Sequence, residues 1–185
     1  MKRSYIIIGA IVGIVAIIFI TYISIYNKAV SLQEKVDEKW ANVQTAYQRR
    51  ADLVPQLVET VKGAAKNEKD ILTEVTNARA GIVNAKTPED LDIAGKKINT
   101  AINLAFEAYP QIRSTENFAT LQSQLEGTEN RVALERKNFN ESVNNYNASI
   151  RRFPMALFAG MFGFSPKPYF QSQAGSEKAP TVNFK

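Results

Sequence analysis

Apolar residues fall along this chain in two rhythms. Between residues 5 and 25 they are almost unbroken, YIIIGAIVGIVAIIFITYISI, and no charge occurs from Ser4 to Asn27. At about 1.5 Å per residue, ~20 residues cross a hydrocarbon layer of ~30 Å, so this run fits one transmembrane helix. Tyr5 stands at one edge and Tyr22 and Tyr26 at the other, where amphipathic rings favour the headgroups. A cleaved signal peptide has a shorter apolar core and a small-residue cleavage site, and no Ala-x-Ala follows Ile25. The run therefore reads as a retained anchor within a first segment, residues 1–26. Lys2 and Arg3 argue for an N-terminus on the inside, whereas Lys28, Lys35 and Lys39 argue the opposite. Gly9 and Gly13 form a G-x-x-x-G that can pair two anchors; the alternative is that both face lipid.

Past Asn27 the rhythm becomes helical. Leu32, Val36, Trp40, Val43 and Tyr47 recur every three or four residues, with Glu34, Lys35, Asp37 and Glu38 in the gaps. The stretch RRADLVPQLVETVKG, residues 49–63, reads as a turn that interrupts this helix; the alternative is one bent helix, since Trp40, Tyr47, Val54 and Val61 keep a seven-residue repeat through Pro55. Asp52 can cap a new helix whose first turn takes Pro55, and Arg49 and Arg50 meet the negative end of the helix before it. A second helix is expected from about Leu53 to Lys86, with Lys62, Lys66 and Lys69 on a solvated face. Thr87-Pro88-Glu89-Asp90 opens a third: a cap, a proline in the first helical position, then two acids at the positive end of the dipole. Leu91, Ala94, Ile98, Ala101, Ala105 and Tyr109 form its buried face, and Gly95 points to a close neighbour. A fourth helix begins near Ser114 or Thr115. Phe118, Leu125, Val132, Phe139, Tyr146 and Phe153 stand seven apart along it, the spacing of a bundle seam. Pro154 stops it.

These elements predict an all-α chain: an N-terminal transmembrane helix continuing into an antiparallel up-and-down four-helix bundle over residues 27–153. An apolar segment, residues 154–170, and a loose polar tail, residues 171–185, follow. If the first helix leaves the membrane, the fourth returns to it. Arg151, Arg152, Phe153, Phe158, Phe162 and Phe164 then become candidate membrane-interface residues. The alternative for residues 153–164 is a hairpin that covers the open end of the core. Arg49, Arg50 and Asp52 would form a charged tip, a candidate contact for a partner.

Charge and composition narrow the chemistry. The 185 residues contain neither Cys nor His, which removes thiolate chemistry, the commonest general base and the usual zinc ligand sets. A di-iron bundle fails for want of Glu-x-x-His, and no Gly-rich phosphate loop occurs. The net charge of +5 is too balanced to indicate a nucleic-acid partner. No catalytic residue, metal site, cofactor or small-molecule substrate is expected.

Several motifs carry a resemblance. Tyr26-Asn27, Trp40, RRADLVPQLVETVKG, EVTNARA at residues 74–80, YNASIRRFP and FGFSPKPYF are similar to the LemA family over essentially the whole chain. The resemblance implies a bacterial, membrane-anchored, antiparallel four-helix bundle without catalytic residues. It also implies a short extracellular N-terminus, which would place the bundle in the cytoplasm, and its family context hints at membrane quality control. Ala65 and Asn67 depart from it, standing where an aromatic residue and a His are expected. The expected function is a non-enzymatic scaffold or adaptor for protein partners, single-pass in the cytoplasmic membrane. The alternative is a self-assembling organiser, a homo-oligomer acting on membrane lipid through anchor pairing and interfacial insertion.

Overall fold

The computed structural model describes residues 2–62, 69–108 and 116–171, and among them every regular element is helical. They are α1 (Lys2–Ala51), α2 (Val54–Lys62), α3 (Lys69–Asn84), α4 (Pro88–Ala108) and α5 (Glu116–Arg151), followed by a short 3₁₀ turn, Met155–Leu157. The chain resolves into two compact units. One comprises Met1–Ala41 with Asn138–Lys167, the other Asn42–Lys137 with Pro168–Lys185. Helices α1 and α5 each contribute to both.

In the first unit α1 carries the apolar run. It is one helix from Lys2, long and apolar enough to cross a membrane. Ile6, Ile11, Val15, Phe19 and Ile20 are all exposed, so this surface has no partner among the described residues. Burial begins at Ala29 and continues at Val36, and Phe139, Val143, Tyr146 and Ile150 of α5 are buried in the same unit. Trp40 meets Phe139 with ring centroids 5.6 Å apart.

The second unit takes in the end of α1 and the turn that follows it. Asp52 and Leu53 form the turn, and the Asp52 amide still donates to the Gln48 carbonyl at 2.9 Å. Pro55 then falls in the first turn of α2, where its missing N–H leaves nothing unpaired. The Asp52 carboxylate accepts from Gln48 Nε2 at 2.9 Å and from Arg79 Nη2 at 3.1 Å. The expected single helix from 53 to 86 is divided: its described parts are α2 and α3, and residues 63–68 with Ala65 and Asn67 lie outside the description. Helix α3 stops at Asn84, two residues early, where the Ala85 amide turns back to Ile82.

The start of α4 follows its sequence signal. The Thr87 hydroxyl accepts from the Asp90 amide at 3.1 Å, and the Asp90 carboxylate accepts from the Thr87 amide at 3.2 Å. This is a reciprocal capping box. That hydrogen bond with Thr87 holds the Asp90 carboxyl below the ordinary carboxylate range. Helices α3 and α4 pack on each other, with Gly81 opposite Ala94. Leu91, Ala94, Ile98 and Ala101 are buried as the periodicity requires, whereas Tyr109 and the residues at 114–115 lie outside the description. The ring of Tyr47 lies against Gly95. A Cβ there would sit 2.5 Å from Tyr47 Cε1, so only glycine admits this approach. Burial raises the Tyr47 phenol above its ordinary pKa.

Along α5 the seven-residue row holds at Phe118, Leu125, Val132, Phe139 and Tyr146, all buried. It fails at Phe153, which is 81% exposed. The helix ends at Arg151 and Pro154 cannot extend it, so residue 153 no longer shares the face.

Candidate membrane-interface site

The segment after α5 is a run of tight turns that satisfies much of its own backbone. Amides of Ala156, Phe158, Ala159 and Phe162 each donate to a carbonyl three or four residues earlier, at 2.9 Å. Gly163, with φ of 77°, occupies the left-handed region that closes such a run, and Phe164 donates back to Ala159 at 2.9 Å. Backbone closed on itself in this way suits an apolar surrounding, where an unpaired amide is costly.

The segment has two faces. Met155 and Ala159 are buried, and Phe158, Phe162 and Phe164 are half-buried. Their rings meet the two tyrosines that end the apolar run of α1. Tyr22 lies 5.9 Å from Phe158 and 5.0 Å from Phe162, both edge-on. Tyr26 lies 5.2 Å from Phe162 and 5.8 Å from Phe164. Such pairs add about 0.5–1.5 kcal/mol each beyond the area they bury. On the opposite face Phe153, Leu157 and Met161, spaced by four, are 81%, 66% and 77% exposed. Arg151 and Arg152 precede them and are exposed.

Four contacts fix the end of the segment. The Asn147 side chain is buried; its Nδ2 donates to the Lys167 carbonyl and its Oδ1 accepts from the Lys167 amide, both at 2.9 Å. The Lys167 ammonium pairs with the Asp37 carboxylate and lies 5.9 Å from the centre of the Tyr146 ring. Burial, and secondarily the Asp37 charge, raises the Tyr146 phenol above its ordinary pKa. Helices α1 and α5 and the chain after Phe164 are thus joined by polar contacts whose partners are far apart in sequence. No local pattern exposes the pairing of Asn147 with Lys167.

The proposed charged tip is not a set of three surface charges. Arg50 is only 6% exposed. Its Nε donates to Asn99 Oδ1 at 2.9 Å, its Nη1 to the Leu125 carbonyl at 2.7 Å, and its Nη2 pairs with Glu129 at 3.1 Å. Desolvation lowers its pKa, with the Glu129 charge opposing that shift. Arg50 is therefore an interior residue that ties the end of α1 to α4 and α5. Arg49 and Asp52 remain exposed. A spacing of seven gave the signal: Ala29, Val36, Val43, Arg50 and Leu57 are all buried, and the arginine occupies one place in that row. Gly9 and Gly13 have nothing within 4 Å of where a Cβ would stand among the described residues.

The chain is similar to known proteins over most of its length. The LemA family model matches residues 39–184. The chain is 25% identical over 197 residues to magnetosome protein MamQ 2 of Paramagnetospirillum magneticum, an alignment covering 91% of this chain and 72% of that one. It is 24% identical to magnetosome protein MamQ of Magnetospirillum gryphiswaldense, covering 82% and 66%. It is 20% identical to Protein LemA of Metamycoplasma hominis, covering 75% and 65%.

Proposed function

Since the chain belongs to the LemA family, we propose that this membrane-associated helical protein is a non-enzymatic scaffold or adaptor for protein partners at the bacterial envelope. Residues 5–25 cross the cytoplasmic membrane once, and residues 27–153 form an antiparallel up-and-down bundle. Residues 154–170 rest at the bilayer interface, with 171–185 beyond them as a polar tail. The observation that carries this reading is the contrast along α1: residues 5–23 expose an unbroken apolar surface, and from Ala29 onward the same helix is built into a packed core. Arg49 and Asp52 are the exposed charges offered for partner contact, and Arg50 holds the helices that present them.

A photo-crosslinking residue at Arg49, in cells, tests the scaffold. A discrete adduct of defined mass, lost when Asp52→Arg is added while helicity is retained, supports it; unchanged monomer refutes it. A single Cys at the exposed Lys97, probed in intact cells with an impermeant maleimide, tests the side. Protection until lysis places the bundle in the cytoplasm, and labelling places it outside.

A second reading rests on Gly9 and Gly13, whose open surroundings leave room for another anchor. Replacing both with Leu then reduces the assembly to monomer in mild detergent; an unchanged mass refutes anchor pairing.

A further inference from the structure

The turn segment after α5 and the end of the apolar run on α1 lie at one level. Phe158 and Phe162 touch Tyr22, and Phe162 and Phe164 touch Tyr26. Tyr22 is one helical turn short of the end of the apolar run, so the outward face of the segment meets the bilayer where acyl chains give way to headgroups. That face carries Phe153, Leu157 and Met161, the apolar part of an interfacial contact. A second observation concerns charge. All 18 acidic residues fall between Glu34 and Glu141 or at Glu177. The stretches 4–33 and 142–171 hold none, yet contain Lys28, Arg151, Arg152 and Lys167. Lys167 is paired with Asp37. Lys28, Arg151 and Arg152 are exposed and carry no ion pair among the described residues.

We propose that this two-sided segment is a lipid-binding foot that selects anionic phospholipid in the bilayer its own anchor crosses. Phe153, Leu157 and Met161 enter the acyl boundary, and Arg151 and Arg152, with Lys28 from α1, take the phosphate and headgroup charge. Arginine suits this role because its planar fork holds a phosphate through two donors. Arg151 also lies at the C-terminus of α5, where a cation steadies the helix dipole. That structural role accounts for one arginine in the last turn. It accounts neither for the second beyond the helix nor for the absence of any acid along the foot. The proposal rests on the anchored reading above and names the lipid class that it meets.

The test uses the full chain, which has no native Cys. A single Cys replaces Met161 in the foot or, as a reference, Ile14 in the anchor. Each is labelled with an environment-sensitive fluorophore and reconstituted in phosphatidylcholine–phosphatidylglycerol vesicles. At equal mole fractions, either lipid carries bromine on its acyl chains as a quencher. The label at 161 should be quenched preferentially by brominated phosphatidylglycerol, by about fivefold for each arginine engaged. Arg151→Gln with Arg152→Gln should remove most of that preference, Lys28→Gln in addition should abolish it, and unselective quenching and helicity should remain in place. Salt at about 1 M, where the screening length is ~3 Å, should do the same. Equal quenching by both lipids in the parent chain overturns the anionic selection and leaves the interface reading standing. Quenching at 14 without quenching at 161 overturns the foot itself. A label at 14 that neither lipid quenches overturns the anchor.

Discussion

Removing the Arg50 side chain gives a stability loss whose size follows from what it leaves behind. Four groups face the guanidinium, but Thr128 Oγ1 at 3.4 Å is too distant to count as a full hydrogen bond. Asn99, the Leu125 carbonyl and Glu129 remain, and a hydrogen bond to a charged group contributes about 1.5–3 kcal/mol. The partners are not stranded. The Leu125 carbonyl still accepts from Thr128 at 2.9 Å, the Asn99 amide still donates to Glu129, and Glu129 is half-exposed and rehydrates. Relief of guanidinium desolvation offsets part of the loss. Arg50→Ala adds a cavity in the space of the stem, for a net cost of about 2–4 kcal/mol. Arg50→Met keeps that space filled and should cost about 0.5–2 kcal/mol. For a chain of this size 1 kcal/mol moves Tm by roughly 2–4 °C. Thermal unfolding of the full chain in mild detergent, followed by circular dichroism at 222 nm, should therefore lose about 10 °C in Arg50→Ala and clearly less in Arg50→Met. Arg49→Ala, at an exposed position, should shift it by no more than ~2 °C. An Arg50→Ala variant as stable as the parent would refute the interior role, and equal losses for Ala and Met would refute its division into polar and packing parts.

Three more positions give separate tests. Gly95→Ala drives a methyl into the buried Tyr47 ring and should cost about 1–3 kcal/mol in the same unfolding assay, with Tyr47→Leu in the same chain recovering part of it. Thr87→Ala opens the capping box of α4 and should cost about 1 kcal/mol. Because the folded Asp90 carboxyl is held below its unfolded value, its contribution is present above about pH 4 and fades as pH falls through the folded pKa. An acid titration should therefore show a weaker pH dependence in Thr87→Ala than in the parent. Asn147→Ala removes both hydrogen bonds to Lys167, so the Lys167 amide should lose its protection from hydrogen exchange while the α5 amides around Val143 keep theirs.

The fold was legible where one residue's neighbours on the same helix decide its surroundings. The row from Phe118 to Tyr146, the cap at Thr87 and the buried face of α4 are of this kind. Periodicity and a four-residue motif contain all the information they need. Gly95 was half legible: its small size announced a close approach, but that Tyr47 would fill the space depends on which helices meet. Arg50 was misread because a charge was taken to mean a surface, although it stands in register with Val43 and Leu57. Phe153 was misread in the opposite direction, since the seven-residue count ran past the point where Arg151 ends the helix. The inward face of residues 153–164 was out of reach, because its partners Tyr22 and Tyr26 are over a hundred residues away in sequence.

Those distant partners give the C-terminal segment its consequence for the anchor. A lone apolar helix can slide or tilt in a bilayer at a cost of fractions of a kcal/mol per Å. Here the tyrosines at the end of the apolar run belong to one aromatic cluster with Phe158, Phe162 and Phe164, and the chain after that cluster is pinned by Asn147 and by the Lys167–Asp37 pair. Any displacement of the anchor along the membrane normal must carry the segment with it. It would then lift Phe153, Leu157 and Met161 into water or draw Arg151 and Arg152 into hydrocarbon. Both movements are opposed, the first by about 25 cal/mol per Å2 of apolar surface and the second by the cost of burying charge. On the proposal that the segment is an interfacial foot, it sets the height of the anchor in the membrane. Serine at Leu157 and Met161 removes much of that restraint without altering the aromatic cluster, so it should let a label on Ile23 sample a wider range of depths than in the parent chain. An unchanged depth distribution would mean that the tyrosines alone fix the helix.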